Sequence, residues 1–327
     1  MEVIHWGIIG TGHIAAKFAA DLRLVEGSVL HAVGSRRRES AEAFARRFSI
    51  PHYYAGYEQL AEDKAIDVIY IASPHGLHKQ HCLLCLEHDK AVLCEKSFTI
   101  NAAQADEVIS KARAKKLFLM EAMWTRFLPI FNKMRQYLQE ISIGKVRSLS
   151  AELGFKAAYD PGHRLFNPQL GGGALLDLGV YPLSLASFLL DKPKTMDTTA
   201  QLGETGVDEQ SCILLEYDED RYAKIFISLR KDLSNEAIIL TENGRLRLHA
   251  PLYRPSGLTV SVLGQKDEYI EAKFEGEGYV HQIREVMYCL RAGKTESTLM
   301  PLDETMQIMK TMDALRHRWG LKYPAEV

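Results

Sequence analysis

The sequence predicts a two-domain protein of the α/β class. Residues 1–122 read as a doubly wound parallel sheet, and residues 123–327 as an α+β domain with a large, mostly antiparallel open sheet. Three observations predict this. Up to about residue 120, short apolar runs alternate with amphipathic stretches, the order of strand and helix that a parallel sheet needs. The first run leads into "IIGTGHIAAKF", with small residues at positions 10, 12 and 15. After about residue 125 the pattern changes: helix candidates alternate with longer strand-like runs, and consecutive strands joined by short turns pair antiparallel.

In the first domain the strand candidates are 3–9, 29–34, 68–72, 91–94 and 117–122. Between them, "ESAEAFARRF" and "NAAQADEVISKARAKK" carry apolar residues at helical spacing, and Asn101 suits the N-cap of the second. In the second domain a helix is expected over 130–140, and a glycine-rich segment opens another over 171–190. The strand candidates there are "VRSLSAELGF", "SCILLEYD", "YAKIFISL", "EAIILTENGRLRLH" and "GLTVSVLG". Within the fourth, Asn243-Gly244 predicts a hairpin through a type I′ turn. Helices near 280–290 and 303–319 close the chain, and no internal repeat is visible.

Composition narrows the function classes. With 327 residues, 46% of them hydrophobic and 25% charged, the chain can build two cores. A formal charge of −2 gives no pull toward nucleic acid or an anionic membrane surface. The run "LGVYPLSLASFLL" contains a proline and is too short to span a bilayer. Met1 leads almost directly into "VIHWGIIG", without a basic leader, and the five cysteines are an odd number. The expectation is a soluble, cytoplasmic protein with reduced thiols.

Gly10, Gly12 and Ala15 fill G-x-G-x-x-G/A, the fingerprint of a dinucleotide-binding Rossmann turn, with His13 and Ile14 between them. Gly10 permits the tight turn, Gly12 lets backbone approach a pyrophosphate, and Ala15 lets helix and strand pack closely. The helix start adds unpaired N–H groups. The alternative is a glycine-rich turn with no ligand. About 20 residues further on, "GSRRRES" presents Ser35, Arg36, Arg37 and Arg38, with no carboxylate before Glu39. Guanidinium groups grip a 2′-phosphate, so NADP(H) is favoured, with NAD(H) the lesser alternative. A plain basic loop is the other reading, and it is expected to account for one of the three arginines.

Further along, Ser73-Pro74 bends the chain after a strand and His75 and His78 follow. The nearby His81, Cys82, Cys85 and His88 suggest a metal site, but Cys82, Leu83 and Leu86 are ordinary packing residues for a helix on a sheet. No metal is expected. "AVLCEKSFTI" runs from a buried strand into Glu95 and Lys96. The carboxyl end of a parallel strand is where open α/β sheets bind ligands, although a solvated strand end looks the same.

The turn G-x-G-x-x-A, "IASPHGLHKQH" and "VLCEKS" together resemble the Gfo/Idh/MocA oxidoreductases. "MEAMWTRFLP" and "GGGALLDLGVYPL" resemble its dimeric dihydrodiol dehydrogenase branch, which also holds NADP-dependent xylose dehydrogenases. The resemblance covers nearly the whole chain in order. It implies that Lys96 lies beside the nicotinamide, in the cleft between cofactor and substrate domains, orienting the substrate oxygen. It further implies that Glu95 helps to hold the cofactor and that Ser73, Pro74 and His78 line the nicotinamide side. Many relatives carry Asp-x-x-x-His on the substrate-domain helix; here Asp177 is followed four residues on by Tyr181, as in the dihydrodiol branch. Serine follows Glu95-Lys96 where proline is usual, and His75 stands where asparagine is frequent.

Two residues four apart share a helix face, and Pro182 comes after both. A tyrosine has a free pKa of about 10, and a nearby ammonium stabilises its phenolate. The implied assignment is Tyr181 as general acid/base, tuned by Lys96, with Asp177 positioning one or both. Spacing alone leaves Tyr181 as a core tyrosine. Trp124 and Arg126 are candidate cofactor contacts, and Phe155, His163 and Arg164 candidate substrate contacts; interdomain packing or a plain connector is as good a reading of each. The function implied is an NADP-dependent oxidoreductase of a cyclic diol, sugar or polyol, or a reductase of the matching ketone. The alternatives are a non-catalytic NADP-binding sensor and a structural subunit. A homodimer, or a tetramer, through the C-terminal sheet is expected from the resembled branch.

Overall fold

The computed structural model describes residues 2–140 and 142–326. The chain forms two compact units, one of residues up to Phe127 with Phe274–Met306, the other of Leu128–Lys273 with residues from Gln307 onward. The single boundary at 122/123 therefore does not describe the contacts, because the chain returns to the first unit late. Specific bonds cause the return: Asp21 accepts the amide N–H groups of Glu277 and Tyr279, and Trp124 stacks on Tyr279 at 4.8 Å.

The first unit is built on strands β1 (Ile4–Ile9), β2 (Ser28–Ser35), β3 (His52–Ala55), β4 (Val68–Ile71), β5 (Ala91–Glu95) and β6 (Leu119–Ala122). Their order is β3-β2-β1-β4-β5-β6 and every pairing is parallel. The order reverses between β1 and β4, which makes the switch point where such sheets open a crevice. β4 and β5 are buried along their whole length, as their unbroken apolar runs require. β3, "HYYA", is a short edge strand with exposed ends and no apolar alternation, so the sequence reading passes over it. Helices α1 (His13–Leu22), α2 (Arg38–Phe48), α3 (Glu58–Glu62), α4 (His78–Glu87) and α5 (Ala102–Lys115) form the crossovers. Asn101 caps α5, accepting the Gln104 N–H at 2.8 Å. Cys82 and Cys85 are fully buried in α4, and among the described residues no group of His, Cys, Asp or Glu is arranged to hold a metal.

The second unit contains helix α6 (Pro129–Gln139) and an eight-stranded sheet: β7 (Val146–Gly154), β8 (Thr195–Leu202), β9 (Asp208–Glu216), β10 (Tyr222–Ser228), β11 (Ala237–Thr241), β12 (Gly244–Leu248), β13 (Gly257–Val262) and β14 (Glu268–Glu271). The order is β14-β13-β12-β11-β7-β10-β9-β8, antiparallel except for β7 beside β10. The edge strands β8 and β14 are too polar to be read as strands from sequence. The β11–β12 hairpin exists, but its turn is not type I′, since neither Asn243 nor Gly244 has positive φ. Residues Glu242 and Asn243 are instead pinned from outside, their N–H groups donating to the carbonyls of Lys145 and Ile143. Gly244 is needed for a different reason: a Cβ there would collide with the Ser261 carbonyl.

The apolar stretch Pro168–Leu190 is long enough by length and composition to cross a membrane, more so than its 13-residue core suggests, yet 78% of its most apolar window is buried in this unit. It is not one α-helix. Pro168–Leu170 is a 3₁₀ turn, Leu175–Gly179 a π-helical turn, and α7 spans Val180–Leu190. The cause is Pro182. It lacks the N–H that would bond to Leu178, and its ring crowds the carbonyls of the preceding turn. The disturbance of a proline thus falls upstream, on the segment that holds Asp177, and not beyond it. Helices α8 (Val280–Arg291) and α9 (Leu302–Trp319) complete the chain apart from a short C-terminal 3₁₀ turn.

Candidate active site

At the carboxyl edge of the parallel sheet, β1 is followed by Gly10, whose φ of +105° only glycine adopts readily. A Cβ there would also press to 2.9 Å from the Ala72 carbonyl oxygen. At Gly12 a Cβ would meet nothing within 4 Å, so backbone faces open space at the N-terminus of α1. His13 and Ile14 are exposed around that start, while Ala15 is fully buried beneath it. This cradle fits a pyrophosphate, with free N–H donors and room for oxygen atoms.

β2 ends next to it. The Ser35 hydroxyl lies 3.5 Å from that of Thr11. Arg36, Arg37 and Arg38 are all exposed; Arg38 begins α2, and its guanidinium lies 5.9 Å from the centre of the Tyr53 ring. Arg36 faces Tyr57 and His81; burial first, then His78 and the Arg36 charge, push His81 down to about 4. A neutral His81 meets the Ser73 hydroxyl at 2.9 Å. Pro74, with extended backbone, leads into the 3₁₀ turn His75–Leu77.

The Lys96–Ser97 peptide bond is cis. Lys96 is half-buried, just past the end of β5. Its carbonyl oxygen lies 3.1 Å from His75 Nε2, and the Ser97 carbonyl lies 2.9 Å from Nδ1 of the fully buried His78. His78 Nε2 in turn faces the Ser73 carbonyl at 2.8 Å. Two facing carbonyls favour the doubly protonated ring, but burial first, and the Lys96 charge with it, set the net direction of its pKa downward. His75 therefore spends one ring nitrogen on the lysine's own backbone. Glu95 is also engaged, accepting the Tyr70 hydroxyl at 2.5 Å.

Trp124 and Arg126 are part of the first unit's interior. Trp124 is 5% exposed and stacks on Tyr279; Tyr279 meets the edge of Phe18, and Phe18 stacks on Tyr70 at 3.7 Å. An aromatic chain thus runs from Trp124 to the Glu95 partner. Arg126 is 1% exposed and forms a two-point ion pair with Glu304, Nη2 to Oε1 at 2.5 Å.

In the second unit, Asp177 lies in the π turn and Tyr181 in the first turn of α7. Asp177 is buried, and its Oδ1 accepts from Arg164 Nη1 at 2.6 Å. Spacing along the chain did not show that pair, since Arg164 sits in a connector. The Tyr181 ring is half-buried, 5.7 Å from that of Tyr253. Phe155 follows β7 and is 39% exposed; His163 is exposed, its Nδ1 taking the Leu165 N–H at 3.4 Å. The turn before Asp177 is bolted twice. Tyr323 donates its hydroxyl to the Gly172 carbonyl at 2.6 Å, and Asp208 accepts the Leu175 N–H at 2.7 Å.

Burial pushes the Asp208 carboxyl up to about 7. Its folded pKa then exceeds the unfolded one, so this group binds more protons when folded, and its stabilisation falls as pH rises from about 4 through about 7. Asp208→Asn keeps an acceptor for Leu175 and removes the titration. Comparing melting temperatures at pH 5 and pH 8 should show a smaller decline in the variant than in the wild type, by on the order of 3 kcal/mol of pH-dependent stability.

Comparison with known proteins agrees with both halves. Residues 4–123 match the family model "Oxidoreductase family, NAD-binding Rossmann fold", and residues 131–247 match the "GFO/IDH/MocA C-terminal domain". The chain is 35% identical to the trans-1,2-dihydrobenzene-1,2-diol dehydrogenase of Mus musculus, with 99% of each chain covered, and 34% identical to that of Homo sapiens, again with 99% of each covered. Among solved structures the fold is shared with KijD10, a 3-ketoreductase of Actinomadura kijaniata in complex with NADP (TM-score 0.86, 24% identity, covering 97% of this chain and 98% of that one). It is shared too with the aldose-aldose oxidoreductase of Caulobacter crescentus (TM-score 0.89, 19% identity, 98% of each chain). With both family models matched in order along it, this chain belongs to the Gfo/Idh/MocA family of NAD(P)-dependent oxidoreductases.

Proposed function

We propose that the protein is an NADP-dependent dehydrogenase of a cyclic diol, sugar or polyol, able to reduce the matching ketone in reverse. The observation that supports it most is the pairing of an open dinucleotide turn at Gly12 with Lys96 on the same edge of one sheet, in a chain 33–35% identical to dihydrodiol dehydrogenases. Gly10, Gly12 and the start of α1 would hold the pyrophosphate, and Ser35, Arg36 and Arg37 the adenosine 2′-phosphate. The bound nicotinamide supplies hydride acceptance at C4. Tyr181 takes the hydroxyl proton as the carbinol C–H bond breaks, and Lys96 orients that hydroxyl and lowers the phenol pKa. Asp177 and Arg164 form the ion pair that braces the Tyr181 turn. The protein is cytoplasmic on this reading. The outer sheet face, where Leu214, Tyr222, Ile238 and Leu240 are all exposed, supports a homodimer.

The test is to supply NADP⁺ with a panel of trans-diols, aldoses and polyols and to follow nicotinamide absorbance. Reduction with at least one hydroxyl substrate, lost in Lys96→Met, is the expected result. Tight NADPH binding without turnover on any of them, in either direction, would leave the sensor reading in its place.

A further inference from the structure

The segment that carries Lys96 out of β5 is gripped at three successive residues. His75 and His78 face the carbonyls of Lys96 and Ser97, and the Phe98 N–H donates to Glu121 Oε1 at 3.2 Å. Glu121 stands in β6, paired with Cys94 of β5, and is 1% exposed. Its other oxygen accepts the hydroxyl of the fully buried Thr305 at 3.0 Å. The rest of β6 is Leu119, Met120 and Ala122, all fully buried and apolar. Packing alone has no use for a carboxylate there, and burying one costs several kcal/mol unless donors meet it.

We propose that Glu121 is the positioning residue of Lys96: by holding the Phe98 amide it sets the direction in which the lysine side chain leaves the sheet. This rests on the reading of Lys96 given above. Glu121 touches neither reacting atoms nor the lysine ammonium. It acts through the backbone. A chain end free to rotate about 96–98 would sweep the Nζ position by several ångströms, and misplacement by about 1 Å is enough to cost on the order of a hundredfold in rate. The groups facing Glu121 are Thr305, the Phe98 amide, the Arg126–Glu304 ion pair and the Cys94 thiol. Burial outweighs the donors and pushes the Glu121 carboxyl up to about 7.

The experiment compares Glu121→Leu, Glu121→Gln and Lys96→Met by kcat, NADPH affinity and the alkaline limb of the kcat–pH profile for ketone reduction, the direction in which a protonated Tyr181 gives up its proton. Glu121→Leu is expected to lose about 30-fold or more in kcat with NADPH affinity within about threefold, and to move the limb toward the free phenol value near 10, as Lys96→Met does. Glu121→Gln keeps an oxygen for the Phe98 N–H and should return kcat to within about threefold, with the limb where the wild type has it. A Glu121→Leu enzyme with undiminished kcat, or with lower kcat at an unmoved limb, overturns the inference, because loss of folded enzyme scales the rate without shifting the profile. Should Glu121→Leu fail to fold, Thr305→Val loosens the same carboxylate; an unmoved limb there overturns it equally. If Lys96→Met itself leaves the limb in place, the role of Lys96 fails; if it moves the limb and Glu121→Leu does not, only the role of Glu121 fails.

Discussion

Tyr181→Phe should lower kcat by roughly 10²- to 10⁴-fold while leaving NADPH affinity within about twofold of the wild type. The substitution removes one oxygen from a half-buried ring that already packs near Tyr253, so the fold has little to lose. What it removes is the acceptor for the hydroxyl proton during hydride transfer. A proton left without a base must go to water, and the transition state loses the corresponding stabilisation. The split between kcat and cofactor binding is the deciding readout. A fall in both together would mean that Tyr181 is a core residue after all. Unchanged turnover would transfer the acid/base role elsewhere. Asp177→Asn should show a smaller loss, since the Arg164 ion pair it breaks braces the turn without touching the proton.

Arg36→Ala should weaken NADPH binding by about 10- to 100-fold and change NADH binding by less than about twofold. The range corresponds to one or two charge-assisted bonds to a phosphate, each worth about 1.5–3 kcal/mol, reduced by solvent around an exposed side chain. Arg36 is the residue to change first because it faces Tyr57 and His81, whereas Arg38 lies near the Tyr53 ring. Arg38→Ala is the matched control and should leave the ratio of the two affinities alone. Fluorescence titration of both nucleotides against both variants measures it. Equal weakening of NADPH and NADH by Arg36→Ala would place the arginine on the shared part of the nucleotide. The 2′-phosphate reading would then fall.

Much of the first unit was legible along the chain because its determinants are local. An unbroken apolar run such as "VIYI", short and alternating with amphipathic stretches, reads as a strand covered on both faces, and the positive φ at Gly10 is a local demand of the turn after β1. Lys96 was readable as a residue of the carboxyl edge because strand polarity alone puts it there, while its place beside a nicotinamide came only from the family resemblance. The polar edge strands β3, β8 and β14 were not legible, since their hydrogen bonds come from neighbours and not from their own pattern. Nor was the β11–β12 turn, whose N–H groups are taken by residues about 100 positions earlier in the chain. One signal was present and unused: a glutamate in "LMEA", an otherwise apolar four-residue strand.

Which side chains meet was decided only in three dimensions. Arg164 was visible, and so was Asp177, but no periodicity links a connector to a π turn 13 residues later. Arg126 and Glu304 lie 178 positions apart, and only the fold brings them into an ion pair. Glu121 acquires a role only when β6 lies beside β5 and Thr305 closes over it from the far end of the chain. Secondary structure and backbone turns answer to interactions within a few residues, which sequence records directly. Electrostatic pairing and burial answer to distance in space, and the folded chain alone defines it.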